Sequence, residues 1–277
     1  MTRLAEALER AADREEAEND CAKGDLSLLA APTDAAQAGT PEVFQGFSVA
    51  AAGRLVVTPE VPPAAVEQYR RLAASLHYTG LERDTKLVMV TSASPGEGKT
   101  LTSTNLALTL SQSYRRRVLL IDADLRRPSV HQIFGLPNVL GLSNGLKSEI
   151  EEKLSLIPVS EHLTVLPAGR PDPDPMSGLT SERMRRILEE AALRFDWIII
   201  DTPPVGFLSD AKLLVSMVDV VLFVVRAGRS PYRLIQRALD AVGKNRILGV
   251  VLNAVDESVD VAGYNYYGYY GSPRREH

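Results

Sequence analysis

Only one cysteine, Cys21, occurs among the 277 residues, which excludes an intramolecular disulfide. No run approaches the roughly 18 consecutive apolar residues of a membrane-spanning helix. The longest are of strand length, such as Trp197 to Ile200 and Val218 to Val225. The start, MTRLAEALERAADREE, has no apolar core of the kind a secretory signal needs, so a cytosolic chain is expected. An excess of one charge is missing too. The formal net charge is -4, and the basic runs at 115–117 and 274–275 are too short to suggest a nucleic-acid partner. What remains is 45% hydrophobic and 24% charged, a globular composition able to bury a substantial core. At this length one α/β domain with an appendage is the expectation.

Along the chain three regions are predicted: 1–60, 61–258 and 259–277. Residues 2–18 place Leu4, Leu8 and several alanines at helical spacing, which predicts a short amphipathic helix. From Asn19 to Glu60 the chain is rich in Ala, Gly, Pro, Thr and Asp without a period, as in a disordered linker that buries too little surface to offset its ordering entropy. Pro62 and Pro63 then open a helix over 63–79, with Val66, Tyr69, Leu72 and Leu76 on one face. Beyond it, strands at 86–92, 117–122, 163–166, 197–201, 219–225 and 247–253 alternate with helices at 99–113, 181–194, 210–217 and 231–243. That alternation predicts a mostly parallel sheet with helices on both faces. The strands LVMV, VLLID, WIIID and VVLFVV are nearly uninterrupted apolar runs, which suits burial on both sides. Ligands in such folds sit at the C-terminal ends of the strands.

Three of those strands end in chemistry. The first runs into Ala93-Ser94-Pro95-Gly96-Glu97-Gly98-Lys99-Thr100 and then a helix, the context of a phosphate-binding P-loop. Small residues let successive backbone N–H groups face phosphate oxygens, and the helix N-terminus adds partial positive charge. The nucleotide-binding set is therefore Pro95, Gly96, Glu97, Gly98, Lys99, Thr100 and Leu101. Lys99 would reach the β- and γ-phosphates of ATP, and the Thr100 hydroxyl would ligate Mg²⁺, which takes few protein oxygens beside phosphate and water. The second strand ends in Asp122-Ala123-Asp124, whose period of two puts both carboxylates on one side. The third ends in Asp201-Thr202-Pro203-Pro204. Three carboxylates close together repel unless a cation compensates them. Alone, Asp201 reads equally well as a turn former before Thr-Pro-Pro.

The motifs ASPGEGKT, LLIDADLRRP, IIIDTPP and GVVLN, in that order and spacing, resemble the bacterial tyrosine autokinases of capsule and exopolysaccharide synthesis, whose Walker A, A′ and B elements they match. The likeness runs from about Val61 to the C-terminus. It implies a P-loop NTPase-type kinase domain that phosphorylates protein tyrosine. By that likeness Lys99, Asp122, Asp124 and Asp201 are catalytic, with Asp122 as base and Asp124, Asp201 and Thr100 around Mg²⁺. Asn253 would touch the adenine edge. The residues alone do not rank the three acids, and they leave Asn253 open as a polar strand end and Arg126 as a surface arginine.

Five of the nine tyrosines, Tyr264, Tyr266, Tyr267, Tyr269 and Tyr270, are spaced by Gly and Asn after the last strand. The family's acceptors lie in such a terminal cluster; the alternative is an aromatic tail that packs on a partner. The resemblance further implies a separate transmembrane adaptor that recruits the chain to the inner face of the plasma membrane, a homo-oligomer, and a protein-tyrosine phosphatase as antagonist. The family's assembly motif, Glu-x-x-Arg-x-x-Arg, reads here Glu67, Arg70, Ala73, and Arg71 lies about 200° around the helix from Ala73. Two other functions compete. A partitioning or cell-division ATPase would carry lysine at Ser94 and no tyrosine tail, and a scaffold without transfer chemistry would not need the intact acids.

Overall fold

In the computed structural model, which describes residues 27–29, 44–148, 153–207 and 211–255, strand and helix alternate as the apolar pattern predicts. Helix α1 (Val49–Ala52) and the long α2 (Pro63–Arg83) precede β1 (Leu87–Ser92) and α3 (Lys99–Ser113). Then follow β2 (Val118–Asp122), the short helices α4 (Val130–Ile133) and α5 (Leu142–Lys147), β3 (Ile157–Pro158) and β4 (Leu163–Leu166). The chain continues through α6 (Met176–Leu179), α7 (Glu182–Arg194), β5 (Trp197–Asp201), α8 (Ala211–Ser216), β6 (Val220–Arg226), α9 (Tyr232–Val242) and β7 (Ile247–Asn253).

The strands form one sheet in the order β3-β4-β2-β5-β1-β6-β7, parallel except for the β3–β4 pair. Parallel strands covered on both faces must be apolar on both sides. The five residues of β2 and of β5 are accordingly all buried, and the core divides into two clusters, one on each side of the sheet. Register pairs Asp122 directly with Asp201 on the neighbouring strand, beside the end of β1. The acids predicted from separate motifs are thus brought together by strand pairing.

Helix α2 runs four residues beyond the predicted Thr79, to a left-handed Asp84 (φ 50°). Gly80 would ordinarily weaken it, but a Cβ there would lie 2.9 Å from the Trp197 ring, so glycine lets the helix pack closely on β5. The helices α4, α5 and α6 and the two-residue β3 are too short to leave a period in the sequence.

The composition of 19–60 predicts a linker, and part of that stretch instead packs on the domain. Phe44 and Phe47 stack edge-on with each other and meet Phe134 at centroid distances of 6.0 and 5.6 Å. Leu55 is fully buried, the Val56 N–H donates to Asn105 Oδ1 (2.9 Å), and Asn105 Nδ2 donates to the Arg54 carbonyl (3.0 Å). Further upstream, the N–H groups of Leu28 and Leu29 and the Ser27 hydroxyl all donate to the Glu190 carboxylate, and Leu29 bridges to Leu154. A strap of turns and one four-residue helix, held by single anchors, leaves no helical or strand period, which is why composition alone misreads it. The helix predicted at 2–18, and the tail with its tyrosines, lie outside the described residues. Among the described residues no helix is long and apolar enough to cross a membrane.

Candidate active site

The phosphate loop joins β1 to α3. Gly96 (φ 78°) and Gly98 (φ 97°) are left-handed, and a Cβ on Gly98 would fall 1.9 Å from Asn253 Nδ2, so both backbone and space demand glycine there. Lys99 opens α3 and is 6% exposed. The loop borders a cavity of about 570 Å³ lined by Pro95, Gly96, Gly98, Lys99, Thr100 and Leu101 of the loop and helix. Asp124, Arg126, Arg127 and Ser129 close it from the β2–α4 loop, with Pro203 and Pro204 from the end of β5. Cationic groups and N–H donors around a hollow at a helix N-terminus make an anion site.

The three acids divide by environment. Asp122 is fully buried: Oδ2 accepts the N–H groups of Ser129 and Val130, each at 3.0 Å, and Oδ1 accepts that of Asp124 at 3.3 Å. Burial, and then the neighbouring Asp201 charge, hold its pKa well above the usual carboxylate range. Asp124 faces the cavity and accepts the Arg127 N–H (3.2 Å); burial raises its pKa while Lys99 pulls it down. Asp201 is pushed up to about 6 by burial, against the lowering effects of the Thr100 hydroxyl and of Lys99. Its Oδ1 accepts the Ser103 hydroxyl (3.1 Å), while its buried Oδ2 has no hydrogen-bond partner among the described residues.

A buried carboxylate oxygen without a donor, beside a threonine hydroxyl and a second acid, suits a hard cation. No three His, Cys, Asp or Glu side chains among the described residues are arranged to hold a metal ion by themselves. Mg²⁺ is bound by one or two carboxylates plus phosphate and water rather than by a protein cage.

Two residues expected to touch nucleotide also make contacts within the protein. Glu97 is 2% exposed and turned inward: its Oε2 accepts the N–H groups of Ala93 (3.0 Å) and Ser94 (3.3 Å), and its Oε1 accepts the Ser230 hydroxyl. It shapes the loop from within. Asn253, expected at the adenine edge, donates from Nδ2 to the Glu97 carbonyl (2.9 Å) and accepts the Ala254 N–H at Oδ1 (2.8 Å). Both ends of its amide are engaged, and it props the loop from β7. Ser230 and Arg226, whose Nη1 reaches the Gly96 carbonyl at 3.4 Å, were missed by sequence reasoning. Their signal was the Arg- and Gly-bearing turn RAGRS after β6. Ser129 was missed as well; its hydroxyl donates to Thr100 Oγ1 (3.0 Å).

Glu97→Ala would leave the N–H groups of Ala93 and Ser94 and the Ser230 hydroxyl without the acceptor that holds them. Such a loss costs about 1–3 kcal/mol, so MgADP affinity is expected to fall roughly tenfold by calorimetry. An unchanged affinity would mean that the loop holds its shape without this carboxylate.

Residues 88–264 match the model of the CobQ/CobB/MinD/ParA nucleotide binding domain. Over 210 residues the chain is 37% identical to tyrosine-protein kinase YwqD of Bacillus subtilis, covering 74% of this chain and 86% of that protein. The kinase domain of the Escherichia coli tyrosine kinase ETK superposes with a TM-score of 0.65 at 35% identity, over 72% of this chain and 78% of that one. The chain belongs to the bacterial tyrosine-protein kinases. Its nucleotide-binding fold is the one shared with MinD and ParA, and its relatives identify the activity as protein-tyrosine phosphorylation. Relatives differ in length: tyrosine-protein kinase wzc of Salmonella typhimurium is 34% identical over 209 residues, but these are 29% of that protein. In this kinase, Ala73 is fully buried in the core cluster on the α2–α3 side of the sheet. An arginine there, as in the family motif, would have to enter that core. Arg71 is more than half exposed and pairs with Glu67 at 3.5 Å.

Proposed function

We propose that the chain transfers the γ-phosphoryl group of MgATP to its own C-terminal tyrosines, Tyr264, Tyr266, Tyr267, Tyr269 and Tyr270, and so regulates exopolysaccharide or capsule synthesis and export. One observation carries this reading. β7 delivers the chain to the phosphate loop itself, where Asn253 bonds the Glu97 carbonyl, and the first tyrosine of the cluster follows 11 residues later (264 minus 253). At roughly 3.3–3.6 Å per residue that tether spans at most about 40 Å, ample to reach an active site.

Lys99 and the N–H groups from Gly96 to Leu101 bind the phosphates. Thr100 and Asp201 would hold Mg²⁺, which would neutralise charge on the phosphates. The tyrosine oxygen forms the new P–O bond as the bond to ADP breaks, and the phenolic proton passes to a carboxylate. The cavity position of Asp124 supports it as that acceptor. Asp122, expected in that role, keeps both oxygens on backbone N–H groups and instead positions the loop that carries Asp124, Arg126 and Arg127. Arg126 and Arg127, which line the cavity, are placed to offset phosphate charge.

Each phosphate would add about -1.5 to -2 charge to the tail, enough to loosen an assembly of like chains. The reading includes a separate transmembrane adaptor that brings the cytoplasmic chain to the membrane, a homo-oligomer, and a phosphatase that resets the tail. The kinase domain proper is 61–258 together with the strap anchored upstream of it.

The test is to incubate the full chain with MgATP, with and without the adaptor's cytoplasmic segment, and to map phosphate by intact-mass and tandem mass spectrometry. Successive phosphates on residues 264–270 are expected. Phosphotyrosine confined to other positions would refute the acceptor assignment, and ATP hydrolysis without phosphotyrosine would refute autophosphorylation.

A further inference from the structure

Helix α4 is a single turn, too short to be stable by itself, so its place is fixed by whatever holds its two ends. Its N-terminal end faces the site. There the N–H groups of Ser129 and Val130 donate to Asp122, and the Ser129 hydroxyl donates to Thr100 in the first turn of α3. Its C-terminal end is held by the strap. The Ser48 N–H donates to the Ile133 carbonyl (2.9 Å), and Gly135 comes so close that a Cβ there would lie 3.1 Å from the Gly46 carbonyl oxygen. Phe134 is fully buried, with the rings of Phe44 and Phe47 packed against it.

Further along, the same strap grips α3. The Val56 N–H and the Arg54 carbonyl clasp the buried Asn105 side-chain amide, and Leu55 enters the apolar cluster that also holds Val130 and Phe134. The strap therefore ties α4 to α3 away from the site, and the same two helices meet again at the site through Ser129 and Thr100. None of residues 44–58 lines the cavity, so any effect on the reaction passes through the elements they hold. We propose that 44–58 is a positioning segment for phosphoryl transfer: by pinning α4 to α3 it sets the β2–α4 loop, and with it Asp124, Arg126 and Arg127, at the cavity. Phe44, Phe47 and Ser48 are its positioning residues. Misplacing a reacting group by about 1 Å can cost on the order of 10²-fold in rate even when the altered residue is remote. The phosphate loop itself has no contact with the strap's hold on α4, so nucleotide binding is spared. The proposal holds whichever tyrosines accept phosphate and whichever carboxylate takes the proton.

Two variants of the full chain test it. Phe44→Ala/Phe47→Ala removes the rings from Phe134. Ser48→Pro deletes the N–H that reaches Ile133 at a residue whose φ of -63° already suits proline. In both, total phosphotyrosine formation at saturating MgATP is expected to fall at least about tenfold, with MgADP affinity by calorimetry within about twofold of the unaltered chain. Hydrogen exchange of the nucleotide-free chain should quicken at least about tenfold over 129–134 while β1 and β2 stay protected. Glu190→Ala, which releases only the upstream anchor at 27–29, should keep the rate within about twofold. Unchanged rates in both strap variants overturn the proposal, as does unchanged exchange over 129–134. So does a loss of MgADP affinity in step with the rate, or an equal loss in Glu190→Ala, either of which would make the strap a general support of the fold. Exchange needs no phosphoryl transfer, so this proposal and autophosphorylation of the tail fail separately.

Discussion

Lys99→Met is expected to lower tyrosine phosphorylation by about 10³-fold or more while leaving the fold intact. Methionine is apolar and close to the lysine stem in length, so the 6%-exposed side chain keeps its packing and loses its charge. The ammonium has two partners to lose. It is the cation placed to meet the phosphates at the start of α3, and it is the largest influence pulling Asp124 down from its burial-raised pKa. Without it, Asp124 and Asp201 each lose a compensating charge, and Asp122 stays as costly as before. Initial rates at saturating MgATP, beside MgADP affinity by calorimetry, separate the two effects. A loss mostly in kcat locates Lys99 at the transferring phosphate, and a loss mostly in KM locates it at ground-state binding. Lys99→Arg is not expected to rescue, because a planar guanidinium does not reproduce a compact ammonium in so enclosed a position. Activity within tenfold of the unaltered chain would remove Lys99 from the transfer step.

The alternation of buried strands and helices was legible because parallel strands covered on both faces must be continuously apolar. The phosphate loop was legible because glycine, lysine and threonine at fixed spacing are what a phosphate demands. Asp122 and Asp201 stood in different motifs about eighty residues apart, and their direct register was not visible, since pairing order is a property of the sheet. The contacts that Glu97 and Asn253 make within the protein are hidden for a related reason. Their residue types suit nucleotide contacts, but which way each side chain turns depends on Ser230 and on the backbone of the loop. The strap at 44–58 was invisible to composition. Phe44 and Phe47 pack on Phe134 just past α4, whose first N–H joins that of Ser129 in holding Asp122, so a segment read as linker abuts the acidic cluster.

Asp201→Asn is expected to make the nucleotide-free protein more stable at pH 7 and to abolish phosphorylation. Burial pushes the Asp201 carboxyl up to about 6 in the folded chain, against 3.8 for the free group. A group whose pKa rises on folding favours the folded state when protonated. The contribution is therefore fully present below about pH 4 and is lost as pH climbs through about 6. At pH 7 the folded chain carries an ionised buried acid, and roughly two pKa units correspond to a penalty on the order of 3 kcal/mol. Asparagine removes the charge and keeps an acceptor for the Ser103 hydroxyl. It also removes the charge that helps hold Asp122 high, so part of the Asp122 penalty is relieved with it. The stability difference between variant and unaltered chain, followed by denaturant melts from pH 4 to 8, should grow with pH and level off above about 7. Saturating MgADP should reverse the order, because only the unaltered chain offers the cation a carboxylate whose buried Oδ2 has no hydrogen-bond partner among the described residues. A difference that does not vary with pH would show that Asp201 is not the group that titrates, and a variant stabilised as much as the unaltered chain by MgADP would remove Asp201 from the cation site.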